Sequence, residues 1–178
     1  MRADAARNRA RVLEVAYETF AAEGLAVPID EIARRAGVGP GTIYRHFPTK
    51  EALFEAVISD RVRVIVAQGR QLLAEDPATA LFEFLRAMVR TSAFDHGLID
   101  ALERYGVDFE AAAPGAEATF LGLTDDLLTA AQRAGTVRTD IGAAELKSLF
   151  MVCKTGGGTG GDVATRVAEV VVDGLRPR

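Results

Sequence analysis

Between Gly37 and Lys50 the chain carries no acidic residue, while Thr42, Tyr44, Arg45, His46 and Lys50 fall close together. At helical spacing these polar groups turn outward, and Ile43 and Phe47, four apart, share the opposite side. Two hydroxyls, a guanidinium, an imidazole and an ammonium suit a partner that is anionic along its backbone and bears hydrogen-bonding edges. Duplex DNA is such a partner. Phosphate oxygens accept from cations and hydroxyls, and a guanidinium can take guanine O6 and N7 together. Arg45 fits either a guanine or a phosphate. Lys50 follows Thr49, a good N-cap, so its charge falls in the first turn of a helix. A cation there opposes the helix dipole, and an external anion would account for it.

Two short helices around a glycine turn must hold these groups. Ile32, Ala33 and Ala36 form the apolar side of the first. Gly37 supplies the left-handed conformation that ends it, and Val38 fills the inside of the turn. Gly39 then serves as N-cap, and Pro40 as the first helical residue, where a missing N–H costs nothing. This is the layout of a helix-turn-helix whose second helix enters the major groove. The bland alternative is a corner between two helices with no ligand. The wholly hydrogen-bonding outer face and the placement of Lys50 favour the first reading.

The surrounding residues extend the pattern. From Arg11 to Phe54 the chain holds Phe20, Glu23-Gly24, Ile32-Ala33, Ala36-Gly37-Val38, Gly41-Thr42-Ile43-Tyr44, His46-Phe47 and Lys50-Glu51-Ala52-Leu53. This stretch, about the first third of the chain, resembles the DNA-binding domain of the tetracycline-repressor (TetR) family. The resemblance implies an all-α homodimer: an N-terminal three-helix DNA-binding domain, residues 1–48, and a C-terminal helical ligand-binding and dimerisation domain, residues 49–178. It implies a cytoplasmic repressor released from a palindromic DNA operator by a small molecule. The family's groove-contacting positions fall on Pro40, Gly41, Thr42, Tyr44 and Arg45, and its phosphate contacts on Tyr44, His46 and Lys50. Three positions depart from the family: Pro28 replaces a capping Ser or Thr, Gly39 replaces a frequent Ser, and Pro40-Gly41 offer little side chain to read bases. Specificity therefore leans on Thr42 and Arg45.

Charge partition agrees with a reading head at one end. The net charge of −4 is uneven: residues 1–63 hold ten Lys/Arg against nine Asp/Glu, and the remainder eleven against sixteen. An acidic body confines DNA contact to the head, and a nearly neutral head makes few phosphate contacts, so tight binding needs two copies. Arg2, Arg7 and Arg9 near the start of the first helix suit nearby phosphate, or ordinary solvation. A two-fold dimer would read a pseudo-palindrome with half-sites roughly 34–36 Å apart.

Composition supports a globular chain, with 49% hydrophobic and 26% charged residues among 178. No apolar run approaches a membrane span and no signal-peptide layout opens the chain. One cysteine excludes an internal disulfide, and two scattered histidines argue against zinc. No metal or other cofactor is expected. An enzyme is not expected either. Asp125 and Asp126 are adjacent and so diverge on a helix, and the glycine run near Gly156 lacks a following Lys-Ser/Thr. The alternatives kept are a DNA-binding protein that needs no ligand, and one that responds to oxidation at Cys153.

Past the head, helices account for nearly everything. A long helix from Thr49 carries Phe54, Ile58, Val62, Ile65, Gly69 and Leu72 as a stripe to Asp76-Pro77, linking head and body like a lever. Another from about Pro77 presents Leu81, Phe82, Leu85, Met88 and Val89 and stops by Gly97; a short piece covers Leu98 to Tyr105. The next carries Phe120, Leu123, Leu127 and Ala130, closed by Gly135. Asp140 is expected to cap a helix with Leu146, Leu149, Phe150 and Cys153 inward, and Gly156 to Gly161 to form a flexible link. The last helix is expected to group Val163, Val167, Val170, Val171 and Leu175. The final two helices are the expected dimer interface. An effector pocket would draw on Ile58, Phe82, Leu85, Met88, Phe94, Leu102, Tyr105, Phe109, Phe120, Leu123 and Met151. For each of these, core packing is the competing role. The lining suits a largely apolar ligand of unknown identity, with Arg86, His96 and Arg104 available for polar contacts.

Overall fold

In the computed structural model, the backbone is described for residues 2–89, 113–155 and 161–177, and side chains for residues 5–89, 113–149, 163 and 165–177. The described residues are helical throughout their regular elements. α1 spans Arg2–Glu23, α2 Ile29–Ala36, α3 Pro40–His46 and α4 Lys50–Glu75. Residues 80–89 form α5. α6 follows at Ala116–Arg133, α7 at Ala143–Thr155 and α8 at Gly161–Leu175. Among the described residues, no helix is long and apolar enough to cross a membrane.

The chain divides into two compact units, Met1–Arg61 with Gly97–Pro114, and Val62–His96 with Gly115–Arg178. α4 supplies its first turns to one and its remainder to the other. In the first unit, α1 buries Val12, Leu13, Ala16 and Phe20, α2 buries Ile32, Ala33 and Ala36, and α3 buries Ile43. Leu53, Phe54, Val57 and Ile58 are the buried side of the start of α4. The Phe20 and Phe54 rings meet edge to face, their centroids 5.5 Å apart, which ties α1 to α4.

In the second unit, Val66 of α4, Leu81, Phe84 and Leu85 of α5, Leu123, Leu127 and Leu128 of α6, Leu146 of α7 and Val172 and Leu175 of α8 make one core. Burying each such side chain contributes about 1.5–3 kcal/mol. At Gly69 an added Cβ would lie 2.5 Å from Leu123 Cδ2 and 3.0 Å from Phe84 Cε2, so α4 offers a notch that α5 and α6 fill. Polar links join parts distant in sequence: Thr136 Oγ1 donates to the Ala78 carbonyl at 2.6 Å, and the Arg138 N–H donates to the Leu175 carbonyl at 2.9 Å.

Three expectations are corrected here. α7 begins at Ala143, and Asp140 does not cap it: Asp140 pairs with Arg138 at 2.5 Å, while the Glu145 carboxylate accepts the Gly142 N–H at 2.9 Å. A carboxylate three residues inside the helix has taken the capping role expected of one before it. α5 begins at residue 80, not Pro77, because Asp76 forms a turn first, accepting the Ala78 N–H at 3.0 Å and the Thr79 hydroxyl at 2.6 Å. The valines of α8 do not share one face. Ala168, Val172 and Leu175 are buried, whereas Val163 is 37% exposed and Val170, seven residues on, 72% exposed. At 3.6 residues per turn, positions seven apart stay aligned and a run of valines wraps both sides. The expected helix at Leu98 to Tyr105 lies outside the described residues, as does most of the glycine run.

Candidate functional site

The α2–α3 corner forms as its residue types require. α2 starts after Pro28, whose side chain makes no cap. Its carbonyl instead accepts from Glu31 and Ile32, and Asp30 and Glu31 put negative charge in the first turn. Gly37 ends α2 at φ 69°, with its N–H bonded to the Arg34 carbonyl and that of Val38 to the Ala33 carbonyl. Gly39 is the N-cap of α3 and Pro40 its first residue. Ile43 is wholly buried and Phe47, 3% exposed, closes the helix with its N–H on the Ile43 carbonyl at 2.8 Å. These two anchors determine which side of α3 faces out.

That outward side carries the predicted residues. Pro40, Gly41, Arg45 and His46 are exposed, Thr42 is half-buried, and Tyr44 is 42% exposed. Partial burial, with the Asp30 carboxylate nearby, raises the Tyr44 phenol above its ordinary pKa, so it remains a protonated donor near neutral pH. α4 opens with the Thr49 hydroxyl accepting the Ala52 N–H at 3.1 Å, the cap expected. Lys50 is half-buried, and desolvation lowers its pKa, with the Glu51 charge opposing that shift. A partly dehydrated ammonium with outward hydroxyls and an imidazole beside it is arranged to receive an anion.

The charges of the first unit sort into two groups. Arg34 forks onto Glu31 at 2.7 Å through two nitrogens, and Arg35 bonds both Glu31, at 2.8 Å, and Glu23 at the end of α1. Hydrogen bonds from Arg34 and then Arg35 hold the Glu31 carboxyl down to about 2. Both arginines are neutralised within the protein, and Arg35 ties α2 to α1. Arg45, His46 and Lys50 make no ion pair among the described residues. Those three groups sit on α3 and at the start of α4. The Glu31–Arg34/Arg35 spacing was available in the sequence as a signal of this partition, but the sequence reading drew nothing from it.

The expected pocket residues divide differently. Phe82, Leu85 and Leu123 belong to the core of the second unit, and Met88 and Phe120 pack against it half-buried. Phe84, which the sequence reading did not select, is fully buried there with its ring 6.1 Å from that of Phe120. Ile58 is buried in the first unit. Phe94, Leu102, Tyr105 and Phe109 lie outside the described residues, and so do the side chains of Met151 and Cys153. Of the suggested polar partners, Arg86 is engaged by Glu169 of α8 at 2.7 and 2.9 Å and by Glu83 at 2.9 Å, while His96 and Arg104 lie outside the described residues.

Comparison with known proteins bears on both units. Residues 12–57 match the model of bacterial regulatory proteins of the tetR family, and residues 76–177 match the C-terminal domain of SbtR-like transcriptional regulators. A TetR transcription regulatory protein from Mycobacterium vanbaalenii is 62% identical over 99% of both chains, with a TM-score of 0.86. The regulator SCO0520 from Streptomyces coelicolor is 34% identical, covering 95% of this chain and 98% of its own, with a TM-score of 0.81. An HTH-type transcriptional regulator of Staphylococcus aureus, SAB2452, is 38% identical over 73 residues; the match spans 40% of that protein's length.

Proposed function

The chain belongs to the TetR family of bacterial regulatory proteins, whose members are transcription factors and not enzymes, and from that premise we propose that it binds a palindromic DNA operator as a homodimer and represses transcription from it. The observation that carries this reading is the outward face of α3 and early α4, where Arg45, His46 and Lys50 make no ion pair among the described residues, set beside arginines already neutralised by the protein's own carboxylates. Thr42 and Arg45 meet base edges, with the backbone of Pro40 and Gly41 passing close to the groove. Tyr44, His46 and Lys50 hold phosphates. A duplex regulator works beside the chromosome, which places it in the cytoplasm.

Residues 1–48 act as the reading head and residues 49–178 as the ligand-binding and dimerisation domain. The exposed Val163 and Val170 on α8 support a dimer through α7 and α8, since an outward apolar stripe seven residues apart suits a two-fold helix contact. A small, largely apolar ligand among α4, α5 and α6, touching Phe82, Leu85, Met88, Phe120 and Leu123, would move α4 and spoil the spacing of the two α3 helices. Such coupling requires tighter ligand binding to the DNA-free state, typically by about 1–3 kcal/mol.

The test is selection of duplexes from a random pool, followed by titration of the recovered site at two salt concentrations. An inverted repeat whose binding falls with Tyr44→Ala or Lys50→Ala supports the reading. A folded dimer that enriches no sequence refutes it.

A further inference from the structure

Arg9 of α1 sits against the ring that closes α3. Its guanidinium carbon lies 5.6 Å from the centroid of the Phe47 ring. Phe47 is buried and ends α3, and the His46 ring lies 6.1 Å from it, tilted by 49°. The positions three and four away from Arg9 along α1 are Ala5, Ala6, Val12 and Leu13, so no neighbour on its own helix can neutralise it. Arg9 makes no ion pair among the described residues, and its side chain is exposed. Compare Arg34 and Arg35, which spend their donors on Glu31 and Glu23. A guanidinium seated on an aromatic face keeps its in-plane N–H fork unspent, and the ring limits how far the stem can swing. The fork is thus pre-ordered for a planar or tetrahedral oxyanion, beside the end of the helix that carries Tyr44, Arg45 and His46.

We propose that Arg9 is a further DNA-backbone contact, held beside α3 by the Phe47 ring, so that each subunit grips phosphate from α1 as well as from α3 and α4. This rests on the DNA-binding reading above. Its occupant is a duplex phosphate, and its contribution is independent of sequence.

The experiment compares wild type with Arg9→Met, which keeps a stem over the ring and removes the charge. Two probes are used: the duplex recovered by selection and a random-sequence duplex of the same length. Each is titrated across a salt series after melting curves show the variant folded. The dimer loses one phosphate contact per subunit, so binding should weaken about sixtyfold near 0.1 M salt and the slope of log K against log salt should drop by about 1.8. Both duplexes should lose affinity by the same factor. Phe47→Leu should weaken binding while keeping the wild-type slope, because the charge remains and only its seat is lost. Arg9→Lys should do likewise, and it serves if Phe47→Leu unfolds the head. Wild-type affinity and slope in Arg9→Met would overturn the proposal. A loss confined to the selected duplex would also overturn it, since Arg9 would then be reading bases. Were the wild-type protein to bind neither duplex, the DNA-binding reading would fall together with this one. Wild-type binding with an indifferent Arg9→Met removes the Arg9 contact alone.

Discussion

Replacing Gly69 by alanine adds one carbon where the second unit has no room for it. The new Cβ would stand 2.5 Å from Leu123 Cδ2, 3.0 Å from Phe84 Cε2 and 3.2 Å from Leu123 Cδ1. Carbon atoms in contact settle at about 3.5–4.0 Å, so the first overlap is about 1 Å. Leu123 and Phe84 are buried and cannot step aside into solvent. Overpacking of this kind costs about 1–3 kcal/mol. Alanine returns about 1 kcal/mol through its better helix propensity. The net expectation is a loss of up to about 2 kcal/mol, which for a chain of this size is up to about 8 °C in Tm. The reference is Leu123→Ala, itself expected to cost about 2–5 kcal/mol by leaving a cavity. In that background the two Leu123 overlaps are gone and only the 3.0 Å approach to Phe84 Cε2 remains, so Gly69→Ala should cost less than it does in the wild type. The assay is thermal and urea unfolding by circular dichroism, at one protein concentration because the proposed dimer would link association to stability. A Gly69→Ala single variant that melts higher than wild type would refute the packing argument, since only an open helix face rewards that change.

Further predictions concern the head and α8. Glu31→Gln should flatten the acid limb of stability: the folded carboxyl sits at about 2 against an ordinary 4.5, so its contribution is complete above 4.5 and fades as pH falls toward 2, and melts across that window will show it. Gly37→Ala meets no atom within 4 Å but must hold φ near 69°, and equilibrium unfolding should register a loss of about 1–2 kcal/mol from that backbone alone. Val170→Asp changes a residue that is 72% exposed in one chain, so fold and melting of the monomer should survive, while sedimentation should show the dimer weakened if α8 forms the interface.

The head was legible because its signals are local. Gly37, Gly39-Pro40 and Thr49 each determine a turn or cap through their own chemistry, and Ile43 and Phe47 reveal the inner side of α3 by spacing alone. The charge partition was half legible: Glu31 with Arg34 and Arg35 is a helix-spaced pattern, whereas the reach of Arg35 to Glu23 depends on how α1 and α2 meet. In the second unit, periodicity selected Leu123 and Phe82 correctly as inward residues but could not separate core from pocket. Both roles want the same side chains at the same spacing. The Arg86–Glu169 pair, 83 residues apart, left no trace that spacing could detect. α8 was misread because four valines in nine residues satisfy two faces at once.

The long-range links of the second unit also constrain the order of events during synthesis. Arg86 waits for Glu169, the Ala78 carbonyl for Thr136, and the Arg138 N–H for the Leu175 carbonyl. The Arg86 and Arg138 links cannot close until α8 has left the ribosome, and the Ala78 link must wait for the residues after α6, whereas the links among α1, α2 and α3 lie within the first 47 residues. Loop closure over such separations slows folding, and units complete in order from the N-terminus. The nascent chain therefore carries a formed reading head for the time it takes to translate more than a hundred further residues, while the buried side of α5 stays wet. During that interval Leu81, Phe84 and Leu85 are the surface most open to a chaperone or to misassociation.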